Sequence, residues 1–136
     1  MSGGDVEEFP IVSSDDVVRV RQRCRTAAIA AGMSLVEQTK VVTAASELAR
    51  NTLVYGGGGT AQISQVTNAS GRNGVRIMFS DSGPGIPDLD LALRDGWTSG
   101  SGLGLGLSGS RRLVDEFDLW TEVGTGTRVT ATKWAR

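Results

Sequence analysis

The sequence predicts an α+β fold, a two-layer sandwich in which helices cover one face of a mixed, mainly antiparallel sheet. Three observations predict it. The hydrophobic period changes along the chain in the order β-α-α-β-β-loop-α-β-β. Two pairs of β-rich segments are each joined by a short polar turn, as hairpins are. No repeat or linker-like stretch interrupts the 136 residues, a length that suits one domain with its own core.

The elements follow in order. Residues 1–8 are polar and expected to be a flexible N-terminus, with a single domain over 9–136. Phe9 to Val12 suits a short edge strand, where Pro10 is tolerated. Ser13-Ser14-Asp15-Asp16 caps a helix whose apolar positions are Val17, Val20, Cys24, Ala27, Ala28 and Ala31, and Gly32 ends it. Ser34 and Glu37 form an S-x-x-E capping box for a second helix. Its buried face is Val41, Ala45, Leu48 and Thr52, helped by Val42 and Ala49, and it stops before Gly56. Thr60 to Thr67 and Gly74 to Ser80 read as a hairpin. A Gly/Pro loop follows from Asp81 to Pro87. Leu105 to Phe117 turns helical, and Leu119 to Val123 and Arg128 to Trp134 are strands around Gly124-Thr125-Gly126.

Composition narrows the chemistry. Hydrophobic residues make up 39% and charged residues 21%, as in soluble globular proteins. The net charge is -1, without the basic surplus of a nucleic-acid binder. The longest mostly apolar stretch, Ala27 to Val36, is far shorter than the ~18 residues of a membrane span. Met1 to Asp5 carries no basic-then-apolar signal segment, and the single cysteine, Cys24, fits a reducing cytosol, so a cytoplasmic location is expected. Histidine is absent, which excludes Ser-His-Asp and Cys-His catalysis, histidine-ligated zinc and histidine autophosphorylation. Phosphate chemistry built on carboxylates, amides and backbone N–H groups remains open.

Four local patterns carry that chemistry. Glu47 and Asn51 stand at i and i+4, one turn apart on one helix face. A carboxylate there can orient or deprotonate a hydroxyl, and an amide oxygen suits a hard cation such as Mg²⁺. Taken alone, such a pair is an ordinary solvated face. Asp81-Ser82-Gly83-Pro84-Gly85 leaves a strand end; its glycines let backbone approach a flat ligand, and Asp81 can accept a hydrogen bond from an exocyclic amine. Alone, it is a good tight turn. Gly102, Gly104 and Gly106 run into a helix start, a ready phosphate site of free N–H donors. Gly104, Gly106 and Gly109 also match G-x-G-x-x-G, but no βαβ unit precedes them, so the dinucleotide reading fails. Gly124-Thr125-Gly126-Thr127 is a turn into the last strand. Backbone freedom is concentrated here: 16 of the 19 glycines lie between Gly56 and Gly126.

In this order the four patterns, with residues 91–101 between the second and third, resemble the nucleotide-binding boxes and lid of the Bergerat-fold (GHKL) ATPases. The wording of Ser46-Glu47-Leu48-Ala49-Arg50-Asn51, Tyr55-Gly56, Gly83-Pro84-Gly85-Ile86-Pro87, Arg112-Leu113, Asp115-Glu116-Phe117 and Lys133-Trp134-Ala135-Arg136 is most similar to the stand-alone serine/threonine kinases of bacterial partner switching, in their stressosome switch-kinase branch. The resemblance implies a protein serine/threonine kinase using ATP and Mg²⁺. It implies Glu47 as general base or hydroxyl-orienting residue and Asn51 as Mg²⁺ ligand. Asp81 reads the adenine amino group, with Gly83 and Gly85 beside the base. Gly102, Gly104 and Gly106 line the phosphates, Thr127 supports the adenine side, and Thr98, Ser99 and Ser101 belong to the lid.

Implied partners are STAS-domain antagonist and scaffold proteins as substrates, and the regulatory domain of a PP2C-type phosphatase bound after release. Neither nucleic acid nor membrane is expected. Gly56 to Gly59 brings no charge to the phosphates, so a cation there is expected from Arg50, Arg94, Lys133 or a partner. Two other readings stand beside this one: an anti-σ factor kinase that binds its σ factor directly, and a binding module in which ATP only sets the shape.

Overall fold

Local chemistry starts both long helices where the sequence places them. In the computed structural model, which describes residues 6–88, 93 and 107–136, α1 spans Ser14–Ala30 and α2 spans Leu35–Val54. At the start of α1, Asp16 Oδ2 accepts the backbone N–H groups of Val12 (2.8 Å) and Ser13 (3.1 Å), donors that have no partner inside the helix. At α2 the capping box is reciprocal: Ser34 Oγ accepts Glu37 N–H at 3.2 Å, and Glu37 Oε1 accepts Ser34 N–H at 2.9 Å.

The strands are β1 (Val6–Ile11), β2 (Gly59–Thr67), β3 (Asn73–Asp81), β4 (Glu116–Glu122) and β5 (Gly126–Trp134), in the sheet order β1-β2-β3-β5-β4. Among the described residues every pairing is antiparallel, so the mainly antiparallel sheet stands without the mixed component. The path explains this. Two helical passes, out along α1 and back along α2, return the chain to lay β2 against β1 in the opposite sense. Tight hairpins then join β2 to β3 and β4 to β5.

Two boundaries differ from expectation. β1 begins at Val6, so Val6, Glu7 and Glu8 pair with Ser64, Ile63 and Gln62 instead of lying loose. Among the described residues a further helix, α3, spans Leu107–Leu113, and Phe117, expected to be helical, belongs to β4 opposite Ala131. The helix stops because Asp115 is claimed by β5: its N–H donates to the carbonyl of Thr132 at 2.9 Å, and its carboxylate accepts the N–H of Trp134 at 2.7 Å.

The core lies between the layers. One sheet face contributes Phe9, Ile11, Ala61, Ile63, Val75, Ile77, Phe79, Val129 and Ala131. They meet Val20, Cys24 and Ala28 of α1 and Val41, Ala45, Leu48 and Ala49 of α2, all buried. This alternation along the strands and 3.6-residue stripe along the helices is the pattern read from the sequence. Among the described residues no helix is long and apolar enough to cross a membrane.

Candidate functional site

Asp81 is the last residue of β3, where the strand leaves the sheet between the layers. Burial pushes its carboxyl above the usual carboxylate range, against the N–H groups of Gly83 and Thr127, which pull it down. The Gly83 N–H donates to Asp81 Oδ1 at 2.9 Å. One carboxylate oxygen is thus fixed by its own loop, and the group is held in one direction.

Two glycines make this approach possible. A Cβ on Gly56 would lie 2.5 Å from Asp81 Oδ2 and 2.6 Å from Asp81 Cβ, so the α2–β2 connection can pass here only without a side chain. Gly85 takes φ +77, a left-handed conformation favouring glycine, and a Cβ there would press on the backbone of Glu122. The loop is tied on both sides. Tyr55 Oη donates to the carbonyl of Gly85 at 3.0 Å, joining the end of α2 to it. Thr121 Oγ1 accepts the N–H of Ile86 at 2.9 Å, donates to the carbonyl of Gly126 at 3.0 Å and stands 2.9 Å from Thr127 Oγ1.

These elements line a pocket. Its walls are Leu48, Asn51, Thr52 and Tyr55 of α2 and its end, Phe79 and Asp81 of β3, Ile86, Leu107, and Thr127 and Val129 of β5. The walls are mainly apolar, and Asp81, Asn51, Thr52 and Thr127 are the polar residues among them.

Of the site residues expected from sequence, Asn51, Asp81 and Thr127 line one pocket, and Gly83 and Gly85 shape the loop over it. Glu47 lies one turn before Asn51 on α2, outside the lining, with 34% of its side chain accessible and Arg50 at 3.6 Å. Gly102, Gly104, Gly106, Thr98, Ser99 and Ser101 lie outside the described residues, as does Arg94; description resumes at Leu107, which is in the pocket wall.

Lys133 is not available to a phosphate. It lies six residues along β5 from Thr127, about 20 Å away at strand rise. There it is buried, with its Nζ 3.8 Å from Asp115 Oδ2. Tyr55, Ile86, Leu107 and Thr121 were not expected at the site. Tyr55-Gly56 stands out as a word in the sequence, but nothing local to Thr121 marks it.

Residues 36–135 match the family described as histidine kinase-, DNA gyrase B- and HSP90-like ATPases. The chain belongs to this family. Membership implies ATP binding. Within the ATPase family the chain is a homologue of serine/threonine-protein kinase RsbT of Bacillus subtilis (strain 168), with 44% identity over 126 residues, 93% of this chain and 94% of that one.

The fold recurs in two solved structures. One holds the RsbU and RsbW domains of Rv1364c from Mycobacterium tuberculosis; the match has a TM-score of 0.62 at 18% identity and covers 97% of this chain and 33% of that one. The other is the SiaB-SiaC complex from Pseudomonas aeruginosa, with a TM-score of 0.60 at 16% identity over 93% of this chain and 88% of that one.

Proposed function

We propose that this RsbT homologue is a protein kinase of the partner-switching kind. It transfers the γ-phosphoryl group of ATP to a serine or threonine of a STAS-domain antagonist or scaffold protein in the cytoplasm. Once released, it binds and activates the regulatory domain of a PP2C-type phosphatase. The observation that carries the reading is the near full-length similarity to a serine/threonine kinase.

The chain's own residues fit the adenine end of ATP. The acceptor at Asp81 lines a mainly apolar pocket, and a single Cβ on Gly56 would press on that carboxylate; an acceptor beside apolar walls suits an exocyclic amine on a flat ring. Asn51, at the pocket wall, offers an amide oxygen to Mg²⁺. The described residues hold no cluster of three or more acidic or sulfur ligands, so phosphate and water oxygens would complete the ion's shell. Mg²⁺, when bound, neutralises charge on the transferring group. Glu47 stands one turn nearer the start of α2, half-exposed and able to meet a partner's hydroxyl. It orients that hydroxyl and takes its proton as the new P–O bond forms and the bond to the β-phosphate oxygen breaks.

The test is phosphotransfer from labelled ATP with Mg²⁺ to cognate STAS proteins. Glu47→Ala is expected to lower transfer by about a hundredfold while nucleotide binding persists, and Asn51→Ala to lose both. Absence of serine or threonine phosphate on every STAS protein, at ATP concentrations that saturate the pocket, would sink the proposal.

A further inference from the structure

The helical layer has an outward face that the nucleotide pocket does not use. Between Arg19 and Arg25, α1 carries an arginine at every second position, in a chain of net charge -1. Two of them are answered by carboxylates of the same chain: Arg19 meets Asp16 at 3.3 Å, and Arg23 meets Glu7 at 3.5 Å. The other two are not. Arg25 donates to the neutral Gln38 Oε1 at 3.2 Å, and among the described residues neither Arg21 nor Arg25 has a carboxylate at ion-pair distance. Cations held in place without counter-charge favour an anionic visitor.

The shape around them is specific. Val18, Arg21, Gln22 and Arg25 of α1 and Val42 of α2 line an open groove between the two helices. Val18, Gln22, Arg25 and Ile29 follow one another at steps of four, three and four residues, so they form a single stripe along α1. Its ends are apolar and uncovered: Val18 is 44% exposed and Ile29 58%. The stripe is about 16 Å long at helical rise, or three turns. An apolar contact at each end and two unanswered cations in the middle make an amphipathic footprint. It differs from a solvated arginine face, where the flanking aliphatic side chains would be buried or replaced by polar ones.

We propose that this α1–α2 groove is the docking site for an acidic amphipathic helix of a partner protein. The occupant carries apolar side chains three turns apart and two or more Asp or Glu residues between them, on the same face. Two uncommitted arginines in an otherwise charge-balanced chain are too few to hold a nucleic-acid backbone or an anionic membrane by charge alone. No residue lines both the groove and the Asp81 pocket.

The experiment titrates the whole chain with a fluorescent helical peptide of about 18 residues, with leucines three turns apart and glutamates between them. A twin peptide has lysine at the glutamate positions. The acidic peptide is expected to bind, with amide shifts confined to α1 and the first half of α2. Arg21→Glu with Arg25→Glu is expected to weaken it at least about tenfold and to accept the lysine twin instead. Binding of a fluorescent ATP analogue is expected to be unchanged, which shows the variant folded. The proposal is overturned if the acidic peptide does not bind, if the double variant binds it equally well, or if the shifts map to the open sheet face. Equal affinity for a DNA duplex or anionic vesicles overturns it too.

Discussion

Replacing Gly56 by alanine tests the Asp81 pocket without replacing any residue proposed to contact ligand. The backbone at Gly56 is not left-handed, so alanine is unstrained there and only space is at issue. The new Cβ would lie 2.5 Å from Asp81 Oδ2, whereas ordinary contact begins at 3.4 Å. Asp81 must therefore yield by about 0.9 Å. It cannot simply retreat over its own loop, because Gly83 already lies so close to Gly56 that a Cβ on Gly83 would come within 2.7 Å of Gly56 Cα. The 2.9 Å bond from Gly83 N–H to the carboxylate is the contact that gives way. A hydrogen bond to a charged group contributes about 1.5–3 kcal/mol, so ATP affinity is expected to fall about ten- to hundredfold. Titration calorimetry with ATP measures it. Gly57→Ala is the control. Its φ of +77 makes alanine strained, but a Cβ there meets nothing within 4 Å. That variant is expected to lose about 1–2 kcal/mol of stability and keep its affinity. Equal ATP binding by Gly56→Ala and the parent, or equal losses in both variants, would refute the reasoning.

Asp81→Asn is expected to weaken ATP at least about tenfold and yet raise the melting temperature at pH 7. A raised carboxyl pKa means the stability tied to Asp81 is fully present below the unfolded value near 3.8 and lost as pH rises through the folded value, so the asparagine advantage should vanish in strong acid. Glu37 and Asp115 have the opposite sign. The N–H of Ser34 leads in holding Glu37 low, while Asp115 stays low because Trp134 N–H, Lys133 and Arg136 together outweigh its burial. Their stabilisation is present above the unfolded values of 4.5 and 3.8 and lost as pH falls below them, which urea melts from pH 6 to pH 2 would register as a drop absent from Asp115→Asn with Glu37→Gln. The Cys24 thiol is fully buried and burial pushes it up to about 12, so iodoacetamide at pH 8 should label it only after unfolding, as intact mass will report. Phe79→Ala, at the centre of the inner sheet face and 1% exposed, is expected to cost about 3–5 kcal/mol in a denaturant melt.

What the sequence made legible was local or ordered. The S-x-x-E box located the start of α2 because both partners of the cap lie within one turn. Asp81, Gly83, Gly85, Asn51 and Thr127 stood out through their order along the chain; Asn51, Asp81 and Thr127 line one pocket, and Gly83 and Gly85 lie in the loop that follows Asp81. What was not legible depends on distant backbone. The pattern from Leu105 to Phe117 looks helical, yet Asp115 is captured by Thr132 and Trp134, and β4 starts a residue later. Glu7 and Glu8 look like a loose terminus, but the main chain of β2 pairs with them regardless of side chain. Thr121 is an ordinary strand threonine until β4 lies beside β5 and its hydroxyl meets Ile86, Gly126 and Thr127. Lys133, expected as a possible phosphate cation, sits at the wrong end of β5, a matter of strand direction that composition does not report.

The charged C-terminal words acquire a physical role from that placement. Arg136 donates its backbone N–H to Glu37 Oε2 at 3.0 Å and its guanidinium to Asp115 Oδ1, and Lys133 faces the same Asp115. Trp134 Nε1 adds a bond to Glu116 Oε2 at 2.8 Å. The Lys133–Asp115 pair is largely buried, and such pairs rarely add net stability over apolar packing, because desolvation offsets the attraction. What they supply is direction: Glu37 is the N3 residue of α2, so the cluster fixes the start of that helix against β5 and the corner between α3 and β4. At its other end α2 is fixed by Tyr55 on the carbonyl of Gly85. Asn51 and Glu47 therefore ride on a helix anchored at both ends, one anchor charged and distant, the other within the pocket loop. A displacement of about 1 Å at a reacting group is enough to cost two orders of magnitude in rate. That sensitivity gives a reason for a chain of 136 residues to commit four charged side chains to one end of a helix when the chemistry proposed for it lies at the other.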